Sequence, residues 1–223
     1  LDPQNRLLAR GPRFRLDAEI VRDVTLSASG LLTERVGGPS FFPPLPDNFL
    51  ALSYLKVDFW DTASAPDRYR RSLYMFRRRS MPDPLLACFD APSGDVACAR
   101  RMRSNTPLAA LAALNEPVLA EGARALALRA LKEGGATNSD RLRHAFRLCT
   151  AREPTPAEAS EIEALYNAQK ARIADGWLSV RDLTTGDPAK LPELPEGVTP
   201  TEAAAWVIVC RVLLNLDESL TKN

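Results

Sequence analysis

The 223 residues suffice for one large domain or two small ones, and either could bury an apolar core. Lysine and arginine (29) nearly balance aspartate and glutamate (28), which argues against an overall electrostatic footprint for nucleic acid or membranes. The most apolar run, Ala203 to Leu216, carries Arg211 and predicts a buried helix rather than a membrane span. The chain begins at Leu1 and already resembles the interior of a protein, so we expect a fragment or a processed piece of a longer protein.

Residues 1–105 predict an irregular, proline-rich portion with two helices. Leu16 to Ser29 is amphipathic and ends at Gly30, which predicts the first helix. The segment Gly37 to Asp47 is too rich in proline and glycine for a regular element, yet its two phenylalanines must pack on something. Ala51 to Trp60 alternates in the manner of a short strand or extended arm.

The second predicted helix of this portion runs from Tyr69 to Ser80. Its inner face would carry Tyr69, Leu73 and Phe76. The arginines of the same segment would occupy the other faces.

Residues 106–223 predict a helical bundle, because Thr-Pro pairs mark three helix starts. The threonine hydroxyl caps an orphan backbone N–H, and proline at the first helical position has no N–H to lose. The predicted helices are Thr106 to Leu114, Glu116 to Glu133, Ser139 to Thr150, Thr155 to Asp175 and Thr199 to Leu216. The proline-rich stretch Leu183 to Val198 reads as an exposed loop. We therefore predict a mainly α single domain, 1–223, with a bundle of about six to seven helices.

The four cysteines do not have the spacing of a metal or haem site. They are Cys88, Cys98, Cys149 and Cys210, and neither C-x-x-C nor C-x-x-C-H occurs. A Cys88–Cys98 disulfide across a turn and a set of reduced, buried thiols both remain open. No cofactor is evident.

A metal ion would have to bind through oxygen ligands. His144 is the only histidine and falls on the polar side of its predicted helix, as a surface residue would. Asp17, Glu19 and Asp23 leave an oxygen-ligated ion open, although Asp17 and Asp23 are expected on largely different helix faces.

Six arginines between Arg68 and Arg79 are interleaved with aromatic residues. Such side chains grip phosphates and stack on bases, so this helix is a hypothesis for nucleic-acid binding. The near-zero net charge weighs against it. The alternative is a solvated helix face paired with nearby carboxylates.

Residues 89–117, FDAPSGDVACARRMRSNTPLAALAALNEP, crowd polar chemistry into a short stretch. Cations after Cys98 would favour its thiolate, arginines could stabilise developing negative charge, and the helix start at Thr106 offers backbone N–H donors. The candidate site residues are Asp90 and Cys98 for catalysis, with Asp47 as another carboxylate, and Arg70, Arg71, Arg100, Arg101 and Asn105 for binding an anion or substrate. A structural clamp, with Asp90 paired to Arg100, Arg101 or Arg103, explains the same residues.

Residues 69–117, from YRRSLYMFRRRS to TPLAALAALNEP, resemble the C-terminal domain of unknown function of the large planctomycete cytochrome-c-associated proteins. LDAEIVRD, GGPSFFPPLPD and LLNLDESL match the same family in the same order. The sequence departs from it at Ala109, where glutamine is usual, and at Cys88, which is additional to the family's single cysteine at Cys98.

The resemblance implies an extracytoplasmic setting, an upstream haem-binding domain of cytochrome-c type and a link to polysaccharide or complex-organic breakdown. The first hypothesis is a non-catalytic accessory or interaction module, which an exposed patch of Phe41, Phe42 and Trp60 would support. The alternative is a hydrolase of ester, phosphoester or glycosidic bonds, with a carbohydrate or small ester as substrate and a pocket lined by Asp90, Cys98, Arg71 and Arg100.

Overall fold

A computed structural model describes residues 2–9, 11, 13–45, 60–190 and 192–222. Within these ranges the chain forms nine α-helices and two two-residue strands. The elements are β1 (Phe14–Arg15), α1 (Ala18–Ser29), α2 (Pro84–Cys88), α3 (Pro107–Asn115), α4 (Pro117–Glu133), α5 (Asn138–Thr150), α6 (Pro156–Ala174), α7 (Val180–Thr185), α8 (Pro200–Leu214), α9 (Asp217–Leu220) and β2 (Thr221–Lys222). The strands pair antiparallel, with Phe14 opposite Lys222. The mainly α prediction is confirmed, and no helix in the described ranges is long and apolar enough to cross a membrane.

Side-chain caps form at the helix starts that the Thr-Pro pairs predict. The hydroxyls of Thr106, Thr155 and Thr199 each accept a hydrogen bond from the backbone N–H three residues later. At Thr155 and Thr199 a glutamate reaches back to the N-cap backbone and completes a capping box. Each of these helices therefore begins at the proline that follows its capping threonine.

Helix α8 lies at the centre of the larger apolar cluster, as its apolar sequence predicts. Nine of its residues are buried, and it packs against α4, α6 and α7. Trp206 is 1% exposed and lies against Tyr166, with ring centroids 5.3 Å apart. This cluster draws on α4, α5, α6 and α8.

A second apolar cluster holds the N-terminal portion together. It joins Val21 of α1, Phe41, Met75, Phe89 and Leu119 of α4, with neighbours from α2 and α3. Helices α1 and α4 contribute to both clusters and pack against each other. This shared pair holds the irregular segments against the helical bundle.

The predicted helix from Tyr69 to Ser80 is wrong. The segment contains two 3-10 turns, Asp67–Tyr69 and Ser72–Tyr74, and extended backbone, and Leu73 is 72% exposed. The buried Arg22 guanidinium donates to the carbonyls of Arg68 and of Arg70, the latter at 2.8 Å. In an α-helix these carbonyls would accept hydrogen bonds from backbone N–H groups later in the chain. Here they accept them from the Arg22 side chain of α1.

Three short helices, α2, α7 and α9, were not predicted. The stretch from Leu183 to Val198 is not simply an exposed loop, because α7 covers its start and Leu194 and Val198 are half-buried against the larger cluster. The strand predicted at Ala51 to Trp60 lies outside the described residues, except for Trp60.

Candidate functional site

Asp90 lies at the centre of a polar joint. Its backbone has a φ of +61°, in the left-handed region that aspartate tolerates better than most residues. Its carboxylate pairs with Arg15 of β1 and accepts hydrogen bonds from the Ser104 backbone N–H at 2.7 Å and hydroxyl at 2.9 Å. The Arg15 side chain is 5% exposed and also donates to the Phe89 carbonyl at 3.1 Å. These contacts match the clamp alternative, but with Arg15 in place of the predicted Arg100, Arg101 or Arg103.

Two of the three arginines that follow Cys98 bind the start of α1. Arg101 makes a two-pronged contact with Glu19, at 2.7 and 3.1 Å, and the Arg103 Nε lies 3.0 Å from the Asp17 carboxylate. Burial would raise the pKa of Glu19, but the Arg101 hydrogen bonds and charge outweigh it and hold that pKa below its usual value. Residues 101–104 are therefore fastened to α1 through the arginines and to Asp90 through Ser104.

The other proposed anion ligands differ in their partners and exposure. Arg70 is buried, donates to the carbonyls of Gly37 and Pro39, and stacks on Tyr74 with its guanidinium carbon 4.1 Å from the ring centroid. Arg71 donates from Nε to Asp23 at 3.1 Å. Arg100 and Asn105 are exposed.

All four cysteines are free thiols, so the structure contains no Cys88–Cys98 disulfide. Cys149 and Cys210 are buried, and burial raises the pKa of Cys149 to about 12. Cys88 is half-buried. Cys98 is exposed near Arg101, so the expectation of buried thiols holds for only part of the set.

An open charged cleft of about 360 Å³ runs along α1. Asp17, the N-cap residue of α1, lines it together with Glu19 and Asp23. Each carboxylate contacts an arginine, and among the described residues no group of three or more histidine, cysteine or acidic side chains could hold a metal ion. Arg71 and Arg101 are the two predicted ligands that this charged cleft brings together.

A carboxylate pair that the sequence analysis missed lines a separate inner cavity. Asp83 and Glu116 cap α2 and α4, each with a carboxylate oxygen that accepts backbone N–H bonds. Both line a cavity of about 30 Å³ together with Arg22 and Arg68, which is room for roughly two waters. Burial raises the pKa of Glu116 to about 7 and also raises that of Asp83, and the mutual repulsion adds to the shift at Glu116. The dipeptides Asp83-Pro84 and Glu116-Pro117 are the sequence signal for these caps.

Helix α3 begins directly after the joint and exposes an apolar face. Leu108 and Leu111, three residues apart on that face, are 61% and 58% exposed. Ala109 is its only buried residue. By contrast, the aromatic patch of Phe41, Phe42 and Trp60, whose exposure would have supported an interaction module, is packed. Phe41 is 4% exposed, and the Phe42 ring lies 5.2 Å from Trp60 and 4.6 Å from Phe76.

Comparison with known proteins gives one match. The family PSD1, described as "Protein of unknown function (DUF1553)", matches residues 1–166. This range contains the joint, the charged cleft and α1 to α5, and it ends within α6. No curated protein and no solved structure matches the chain. Because the match covers well over half of its length, the chain belongs to the PSD1 family of proteins of unknown function.

Proposed function

We propose that the chain is a non-catalytic interaction module and that α3 is its docking helix. The observation that carries this proposal is the exposed apolar face formed by Leu108 and Leu111. The sequence of α3, PLAALAALN, is apolar all round, and such helices are normally buried. Exposed apolar side chains that cluster on one helix are typical of binding surfaces.

The apolar face is held on an ordered helix. Arg211 of α8 donates to the Leu114 carbonyl, and Asn215 donates to the Ala110 carbonyl at 3.3 Å. Thr106 caps the start of the helix, two residues after the Ser104 contact with Asp90. A helix fixed at both ends loses little further conformational freedom on binding, which favours affinity.

The partner we propose is the upstream part of a longer protein, with the cytochrome-c-type domain that the resemblance implies. The extracytoplasmic setting and the link to polysaccharide or complex-organic breakdown belong to the same proposal. They rest on the resemblance, and membership of PSD1 is compatible with them.

Calorimetric titration of the chain with that upstream part, produced separately, tests the proposal. Replacing Leu108 and Leu111 by glutamate should weaken binding at least tenfold, because burying a leucine contributes about 1.5–3 kcal/mol and tenfold corresponds to about 1.4 kcal/mol. Leu73→Glu is the matched control, since Leu73 is 72% exposed and lines the charged cleft along α1. Absence of binding, or equal loss in the control, would contradict the proposal.

Hydrolysis at Asp90 and Cys98 stays a prediction. The engagement of Asp90 by Arg15 and Ser104 favours its structural role. Nucleic-acid binding also stays a prediction, but the segment that would carry it does not form the predicted helix. In addition, Arg68 pairs with Glu121 and Arg71 pairs with Asp23.

A further inference from the structure

Three consecutive arginines line one pocket beside the carboxylate pair. This arginine pocket has a volume of about 250 Å³. Arg77, Arg78 and Arg79 line it, opposite α2 and the turn at Ser93 and Gly94. The pocket also reaches Asp83, so this carboxylate lies between the arginine pocket and the inner cavity that holds Glu116.

Arginines outnumber acidic residues among the described residues that line the arginine pocket. Its described lining contains three arginines and one acidic residue, Asp83, whose pKa burial raises. Arg77 donates to the Pro92 carbonyl, and its nearest carboxylate, that of Glu19, is 3.7 Å away and already held by two nitrogens of Arg101. Within the described ranges Arg79 has no ion-pair partner, and its side chain is exposed.

The turn at Ser93 and Gly94 lies close to Arg79 and lines the same pocket. Gly94 has a φ of +86°, and a Cβ at this position would come within 4.0 Å of the Arg79 Cγ. Ser93 accepts a hydrogen bond from the Asp95 backbone N–H, and its hydroxyl hydrogen can still be donated. Guanidinium groups bind phosphate and sulfate oxygens through paired N–H donors.

We propose that the arginine pocket binds a tetrahedral oxyanion, the phosphate or sulfate group of a small molecule, through Arg77, Arg78 and Arg79. The volume is below the 300–1,000 Å³ or so of typical drug-sized ligand pockets, which suits a single oxyanion group with a small attached moiety. This site is separate from the docking helix α3 and does not depend on the interaction proposal.

The test is titration of the full chain with inorganic phosphate and, separately, inorganic sulfate at constant ionic strength, followed by amide NMR shifts. Saturable binding with shifts at Ser93 and Gly94 is expected. Arg79→Ala should weaken it at least tenfold. Arg172→Ala, which removes an exposed arginine of α6 outside the pocket, should change it less than twofold.

Asp83→Asn gives a second measurement in the opposite direction. Asparagine keeps the N-cap of α2 and removes the one carboxylate among the described residues of the arginine pocket, so oxyanion binding should tighten several-fold. Preference for one anion would identify the phosphorylated or sulfated class of ligand. No saturable binding, or equal weakening by Arg172→Ala and Arg79→Ala, would overturn the proposal.

Discussion

The protonation of Glu116 is coupled to folding. Its pKa is raised from 4.5 to about 7, so between these values the folded chain holds a proton that the unfolded chain has lost. The stability it contributes is therefore fully present below about pH 4.5 and is lost as the pH rises through 7. Asp83, whose pKa is also raised, acts in the same direction.

We predict that the free energy of unfolding falls by about 3 kcal/mol between pH 4.5 and pH 8, from the size of the Glu116 shift. Glu116→Gln should remove most of this slope, since the amide oxygen can still accept from the N–H groups of Val118 and Leu119. Denaturant unfolding across this pH range measures it. Glu163→Gln, at an exposed position of α6, is the control, and an unchanged slope in Glu116→Gln would contradict the prediction.

Contacts between residues far apart in the chain were the part of the site that the sequence predicted least well. The sequence indicated a polar joint around Asp90 and the nearby arginines. It did not indicate the pairing of Asp90 with Arg15, because these residues are 75 positions apart and no local pattern links them. In the same way, no local pattern indicates that Arg22 binds carbonyls about 48 residues away. Long-range hydrogen bonds of buried arginines depend on the assembled fold, so sequence spacing cannot find them.

At the scale of elements, the crossing of α1 and α4 depends on a glycine. Gly122 lies inside α4, where alanine would normally favour the helix by about 1 kcal/mol. A Cβ at this position would lie 2.5 Å from the Thr25 Cγ2 of α1, and Thr25 is buried. The two helices approach too closely for a side chain.

We predict that Gly122→Ala destabilises the chain by about 1–3 kcal/mol in spite of its helix propensity, because overpacking must displace α1. Thr25→Ser removes the opposing methyl group and keeps the hydroxyl that donates to the Val21 carbonyl at 3.1 Å. The double variant should therefore recover most of the loss in thermal or denaturant unfolding. Additive losses from the two substitutions would show that the close approach is not the cause.

Helices were predictable where their ends carry local chemistry. The Thr-Pro pairs at α3, α6 and α8 specify both a cap and a first turn, and the structure begins each helix there. The segment from Tyr69 to Ser80 has a helical apolar pattern but lacks such a start. The Arg22 side chain donates hydrogen bonds to the carbonyls of Arg68 and Arg70. Short helices such as α2 and α7 bury too few residues to produce a clear periodicity.

At the scale of the whole molecule, the joint around Asp90 connects three parts of the chain. It links β1, the turn after α2 and the approach to α3, while β1 also pairs with β2 near the C-terminal end of the described chain. The proposed docking face of α3 begins four residues after Ser104, so its position depends on this joint. We infer that Asp90 and its partners hold the fold and present α3.

Unfolding of Asp90→Asn tests this claim most directly. Asparagine tolerates the left-handed backbone of Asp90 but leaves the buried Arg15 charge without its carboxylate, so we predict a loss of about 3 kcal/mol. Asp95→Asn, an exposed carboxylate of the same stretch, should have little effect. A stability of Asp90→Asn equal to that of the wild type would contradict the structural role of the joint and would make catalysis by Asp90 the stronger hypothesis.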